Sequence, residues 1–207
     1  MSYWLAEARG RTRRRVLTST ALADAAVDVL DREGARALSM RRVADVLGVA
    51  QSSLYGHVRG RDDLCDLALD HVLGRELERL LADAKGDAAA LAVGWFSHLT
   101  RHPWAAPLVL ERTPLGPSYV ALADELCGLL ASSGVPADDV LGRSYAITAM
   151  VAGHAIAFEN ARGAGQGYEA VDLSSSPHLA AAVSRFAGDW AEVVRRGVMS
   201  LVGVTAR

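Results

Sequence analysis

The chain has 207 residues, 51% of them hydrophobic, a formal charge of −2 and two cysteines. That is enough apolar sequence for one small and one mid-sized helical domain with a substantial core. The start, MSYWLAEARGR, lacks an apolar run of signal-peptide length, and no stretch approaches the uninterrupted apolar length of a membrane helix. A cytoplasmic placement is expected, with no membrane partner and no cofactor. Cys65 and Cys127 fall in separate helical patterns and are read as buried free thiols.

From the amino terminus, RGRTRRR bunches Arg9, Arg11, Arg13, Arg14 and Arg15 ahead of any apolar periodicity. Residues 1–18 are therefore read as a flexible basic arm, suited to phosphate contacts or a minor groove. Thr20–Glu33 carries Leu22, Ala26, Val29 and Leu30 at helical spacing and stops at Gly34. Ser39 is placed to cap a second helix whose Val43, Val46 and Leu47 are expected on one buried face. Gly48 supplies the positive φ of a tight exit, with Val49 tucked under the turn. Gln51–His57 keeps Leu54 for the core and turns Gln51, Ser52, Ser53, Tyr55 and His57 outward, a hydrogen-bonding surface suited to base edges and phosphates. Residues 19–61 thus read as a three-helix unit of the helix-turn-helix kind.

Charge follows the same division. Residues 1–60 hold ten arginines against six acids, and residues 61–207 hold twelve basic against eighteen acidic residues. The basic end is the reading end, and the acidic remainder is unsuited to contact DNA.

Beyond Arg61 the chain reads as all-α, with residues 62–207 as a second, larger domain. Asp62 is expected to cap a long connector helix through Leu67, Leu69, Val72, Leu77 and Leu81, broken at 85–87. A helix from Asp87 to Arg101 stops before Pro103, and another runs from Pro117 to Ser133. Asp138 is expected to cap a longer helix through Arg162. The Gly- and Ser-rich stretch 163–177 reads as a loop, mobile or draped over a partner, followed by a last helix from His178 to Leu201 with a bend near Gly188.

The order of basic arm, helix, LSMRRVADVLGVAQSSLYGHV, connector and all-α remainder resembles the tetracycline-repressor family of bacterial transcription regulators, most closely over residues 20–70. HPWAAPLVLERTPLGPSYVALADEL further resembles the C-terminal domain of the subgroup nearest the tetracycline repressor itself. The resemblance implies a one-component regulator, a repressor, that binds a palindrome in double-stranded operator DNA as a homodimer. Release follows from a small-molecule inducer, apolar or amphipathic.

Carried over by residue, Arg41, Gln51, Ser53, Tyr55 and His57 contact the operator. Arg41 and Gln51 read guanine and adenine edges, Ser39, Tyr55 and Arg61 anchor phosphates, and Ser52 shares the exposed surface. Met40, Ser52 and Gly56 stand where the tetracycline repressor has a hydroxyl, a proline and a tryptophan, so the operator should differ. Dimerisation maps to Val140–Arg162 and the segment Phe186–Leu201, the first carrying Gly142, Ala146, Ala149, Gly153 and Ala157 as a small-residue stripe. An apolar ligand pocket maps to Trp95, Phe96, Leu99, Trp104, Leu108, Met150, His154 and Phe158. Around VLERT at 109–113 no histidine occupies the tetracycline repressor's metal position, although Thr113 and Glu159 lie near it. No magnesium-dependent tetracycline response is expected.

Two other readings stay open. His98 and His102 lie four apart, as on one face of a zinc-binding helix, with Glu111 as a third candidate. His102 immediately precedes Pro103 at a helix end, which weighs against that site, and no metal ligand is assigned. The alternative is a dimeric ligand-binding or protein-interaction module that keeps the hairpin and ignores DNA. No nucleophile elbow, phosphate-cradling loop or metal-protease motif occurs, so no catalytic residue is named and the chain is not read as an enzyme.

Overall fold

The computed structural model describes residues 3, 17–164, 168, 171–186 and 188–203. Arg9 to Arg15 of the basic arm lie outside the described residues, as do 165–167 of the Gly-rich stretch. Among the described residues, the elements are α1 (Ser19–Glu33), α2 (Met40–Leu47), a 3-10 segment (Gln51–Gly56), α3 (Arg61–Gly74), α4 (Leu77–Ala84), α5 (Ala88–Arg101), α6 (Ala105–Glu111), α7 (Pro117–Ser132), α8 (Ala137–Ala164), α9 (Pro177–Arg185) and α10 (Trp190–Val202). No described helix is long and apolar enough to cross a membrane.

Helix α1 begins where the Thr18 hydroxyl accepts the Ala21 N–H at 3.1 Å and ends at Gly34, whose φ of 81° turns the chain away. It buries Leu22, Ala26, Val29 and Leu30, the residues that the spacing assigned to its inner face. These pack against α2 and α3. Helix α3 is buried over most of its surface, from Asp63 to Leu73, because α1 covers one side and α7 another. Its apolar residues therefore show no single stripe.

The long connector is two helices. Gly74 ends α3, and a Cβ there would sit 2.9 Å from the Ser118 Oγ of α7. Close approach by α7 thus favours glycine at a position where glycine also weakens helix propagation. Asp62 is not the cap of α3. Gly60 holds that place, and Asp62 and Asp63 lie in the first turn, where carboxylates complement the helix dipole. Asp138 likewise lies in the first turn of α8 and not at its cap.

Lys85 and Gly86, at φ 50° and 78°, close α4. Asp87 then caps α5 by accepting the Ala90 N–H at 2.7 Å. Helix α5 is the axis of the second half and packs against α4, α8 and α10. The expected single last helix is likewise two, α9 and α10. Gly188 at φ 73° lies in the break, and Asp189 starts α10 by accepting the Glu192 N–H at 2.9 Å. No residue of α9 is buried, whereas α10 anchors itself through Val194 and Val198.

Candidate nucleic-acid interface and sensing core

Helix α2 and the segment after it are held as a rigid pair. The Ser39 hydroxyl accepts the Arg42 N–H at 3.1 Å. At the other end Gly48, at φ 64°, lets its own N–H reach Asp45 O at 3.2 Å and the Val49 N–H reach Ala44 O at 3.1 Å. Two carbonyls left over by the helix end are satisfied in this way. Met40, Val43 and Ala44 form the buried face of α2. Val46 and Val49 do not: they are 38% and 37% exposed. The inner face runs through Met40, Val43 and Ala44 to the partly buried Leu47, the i, i+3, i+4, i+7 spacing of one helix side, which leaves Val46 at its edge.

Residues Gln51–Gly56 form a 3-10 segment with one core anchor, Leu54, which is fully buried. Gln51, Ser52, Ser53 and Tyr55 are all exposed, and His57 is half-buried beside them. Gln51 Nε2 donates to the Tyr55 hydroxyl at 3.2 Å. The exit from this segment is fixed by Arg59, whose N–H and guanidinium reach the Asp63 carboxylate at 2.6 to 2.9 Å. Burial works to raise the Asp63 carboxyl, but the hydrogen bonds from Arg59 outweigh it and hold the group below its usual range.

The two arginines of α2 differ sharply. Arg42 is engaged with Glu33 at 2.6 to 3.0 Å. Arg41 is exposed and has no partner among the described residues, so its guanidinium is available to a base edge or phosphate. Arg61 spends one nitrogen on Ala35 O at 2.9 Å, which orients the side chain and leaves its other donors outward.

Among the described residues, ion pairs and hydrogen bonds tie α1 to the end of α3, α1 to the turn between α5 and α6, and the start of α3 to the end of α6. Asp24 accepts from His71 and Arg75 at 2.8 and 2.7 Å. Asp31 of α1 accepts the Trp104 indole N–H at 2.6 Å and faces His102 Nδ1 at 3.2 Å. Arg112 reaches Asp62 at 2.9 Å and Asp66 at 3.2 Å. Beside the second of these lies an open cleft of about 640 Å³ lined by Leu30, Asp31, Gly34, Ala35, Arg101, Pro103 and Trp104. Trp104, expected with the sensing pocket, thus stands at the junction with α1.

The other pocket candidates divide into two groups. Phe96 stacks edge-on against Phe158 at 5.7 Å, and Phe158 and His154 both meet Trp190 of α10, at 6.1 and 6.3 Å. His154 Nδ1 donates to Met150 O at 2.7 Å, which fixes the orientation of the ring. Trp95 instead faces Tyr119 of α7 at 6.3 Å, and both are buried. Trp95 Nε1 and the Tyr119 hydroxyl have no hydrogen-bond partner among the described residues apart from each other, and burial pushes the Tyr119 hydroxyl well above its usual range against the opposing effect of the Trp95 N–H. Leu99 and Leu108 are plain core beneath these rings. Sequence spacing missed Tyr119 and Trp190. Each sits near the start of a helix, where an aromatic residue carries no periodic signal of its own.

Helix α8 buries Ile147, Val151, Ala152 and Ala155, and its opposite face presents Gly142, Ala146 and Ala149 with Leu141 and Tyr145, the last two 58% and 57% exposed. Cys65 is buried and Cys127 half-buried, and neither is in a disulfide.

Comparison with known proteins places this arrangement. Residues 22–67 match the family described as bacterial regulatory proteins, tetR family, and residues 85–192 match the tetracyclin repressor-like C-terminal domain. An HTH-type transcriptional regulator of Saccharopolyspora erythraea is 38% identical over 151 residues, which is 71% of this chain and 63% of that protein. The HTH-type transcriptional repressor DrrR1 of Streptomyces coeruleorubidus is 35% identical over 142 residues, 67% of this chain and 53% of that protein. The matched region thus spans less than two thirds of either relative. Among solved structures, a possible TetR family transcriptional regulator from Streptomyces coelicolor superposes with a TM-score of 0.75 at 25% identity, covering 90% of this chain and 97% of that one. The Streptomyces coelicolor TetR family protein ActR, in complex with actinorhodin, superposes with a TM-score of 0.71 at 26% identity over 91% of this chain and all of that one. With a helix-turn-helix unit and a helical C-terminal domain both matched, the chain belongs to the tetR family of bacterial regulatory proteins.

Proposed function

We propose that this chain is a one-component transcription regulator, a repressor and not an enzyme. It binds palindromic operator DNA as a homodimer and leaves it when a small apolar or amphipathic molecule enters the helical domain. The observation that carries the reading is the segment Gln51–Gly56, pinned by one buried leucine with Gln51, Ser52, Ser53 and Tyr55 all outward. A single such segment covers only a few base pairs, so a two-fold pair on half-sites about one or more helical turns apart follows. Arg41 and Gln51 read bases, and Ser39, Ser52, Ser53, Tyr55, His57 and Arg61 fix the register on phosphates.

The exposed small-residue face of α8, flanked by Leu141 and Tyr145, supports pairing of two chains there, with α10 alongside. For the ligand, the supporting feature is the Trp95 and Tyr119 pair. Two buried polar atoms with no partner beyond each other, inside an aromatic and aliphatic surround, suit a molecule that is mostly apolar with one hydrogen-bonding group. His154 and Phe158 offer a second wall. That ActR was solved with actinorhodin, a statement about ActR, is consistent with a ligand of that general character.

Arg41→Ala tests the reading against duplex recovered from a random pool. The variant should lose about 1–3 kcal/mol of discrimination at one base position and keep its helix content and dimer. A module that ignores DNA would enrich no sequence and show no effect of the substitution.

A further inference from the structure

Glu76, His98 and His102 converge where α4, α5 and the turn into α6 meet. Each offers a ligand atom within 4.8 Å of the other two. Glu76 stands at the start of α4, His98 on α5 and His102 at its end. Glu111, the third residue suggested by the histidine spacing, is exposed at the end of α6 and is not part of this group. We infer that Glu76, His98 and His102 hold a divalent transition ion of the zinc class, on two imidazoles and one carboxylate, with solvent in the open position.

The donor set fits that ion, since imidazole nitrogen and carboxylate oxygen are ordinary zinc ligands. His102 is oriented as metal-bound histidines commonly are, with Nδ1 3.2 Å from Oδ1 of Asp31, an acid outside the ligand set, which leaves Nε2 for the ion. His98 meets Glu76 through Nδ1, 3.3 Å from Oε2, and the ion takes that nitrogen in place of this contact. The ion has a way in, because the side chains of Glu76 and His102 are 22% and 19% exposed while His98 is closed off.

Two cations compete for the carboxylate: Arg101 is paired with Glu76, and Arg79 lies 3.7 Å away. The ion must displace part of that contact, which weakens its binding. Asp31 belongs to α1 of the reading unit. An occupied site therefore strengthens the His102 to Asp31 bond across the junction, making Asp31 a positioning residue for the ion.

The test uses chelator-stripped full-length protein titrated with Zn²⁺ against a chromophoric chelator, followed by thermal unfolding with and without the ion. DNA is absent, so failure here is separate from failure of the regulator reading. One ion per chain and a raised Tm are expected. Glu76→Gln and His102→Ala should each weaken binding at least tenfold and abolish the rise in Tm with helix content unchanged, and Asp31→Asn should weaken it about tenfold at the same stoichiometry. His102→Gln replaces the alanine variant should that one lose helix content. No competition with the chelator, or binding that both His102 variants leave unchanged, would overturn the site.

Discussion

Asp70 ties α3 to α7 and gives a sharp test of the packing account. It lies on α3, is 7% exposed, and its Oδ1 accepts the Ser118 N–H at 2.8 Å and the Tyr119 N–H at 3.2 Å, while Oδ2 accepts the Ser118 hydroxyl at 3.1 Å. The residue at the N-cap position of α7 is Gly116, which has no side chain to do this, and a Cβ there would overlap the Asp70 carboxylate. Asp70 thus caps α7 from another helix. Asp70→Ala strands two backbone N–H groups in the interior at about 1–3 kcal/mol each, so the variant should lose about 3–5 kcal/mol of stability.

Asp70→Asn keeps one acceptor oxygen and removes a buried charge, and its loss should stop at about 1–2 kcal/mol. The pH dependence has a definite sign. Burial raises the Asp70 carboxyl above its ordinary 3.8, against the opposing bonds from Tyr119 and Ser118. The folded state therefore holds the proton more tightly than the unfolded one, and this contribution is complete below 3.8 and lost as pH rises through the folded value. Asp70→Asn should remove that fall. The assay is urea unfolding followed by circular dichroism at fixed protomer concentration across that pH range, because dimerisation would otherwise shift the midpoint. An Asp70→Ala variant within about 1 kcal/mol of the parent, or an asparagine variant as damaged as the alanine, would refute the capping role.

Three further outcomes follow from named contacts. Leu54→Ala empties a fully buried position beneath the reading surface and should cost about 2–5 kcal/mol, visible as a lower urea midpoint together with loss of DNA binding. Trp104→Phe removes the indole N–H donated to Asp31. It should cost about 1.5–3 kcal/mol in unfolding, as expected for a hydrogen bond to a charged acceptor. Ala149→Glu adds a charge to the exposed small-residue face of α8 and should give monomers in sedimentation with the melting of the reading unit unchanged.

The reading unit was legible in the sequence because its signals are local. Ser39 caps, Gly34 stops the first helix, Gly48 takes positive φ, and Leu54 is a lone apolar residue among polar ones; the Thr18 cap went unread because Thr18 was assigned to the arm. Val46 and Val49 were misassigned because a short helix gives too few turns to fix which of two adjacent faces is inward. The connector was read as one helix since Leu77 and Leu81 continue the period of Leu67. The break is imposed from outside by Ser118 of α7 against Gly74, which no local pattern records. Likewise Glu76, Asp31 and Asp70 act on partners 22, 73 and 48 residues away in sequence. Their roles emerge only when the helices are packed. The break between α9 and α10 was half visible, as a bend at Gly188, and the Asp189 cap completes it.

The central claim is that a polar surface centred on Gln51, Tyr55 and Arg41 reads a defined DNA sequence in two-fold fashion. The measurement that tests it most directly is selection of binding sites from random duplex DNA with the purified protein at about 150 mM salt, where non-specific phosphate attraction is weakened. The account predicts a palindrome with half-sites about one or more helical turns apart, bound by two chains, with discrimination at one base position of each half-site lost in Arg41→Ala. Recovery of no sequence above background, or of a site without two-fold symmetry, would contradict it.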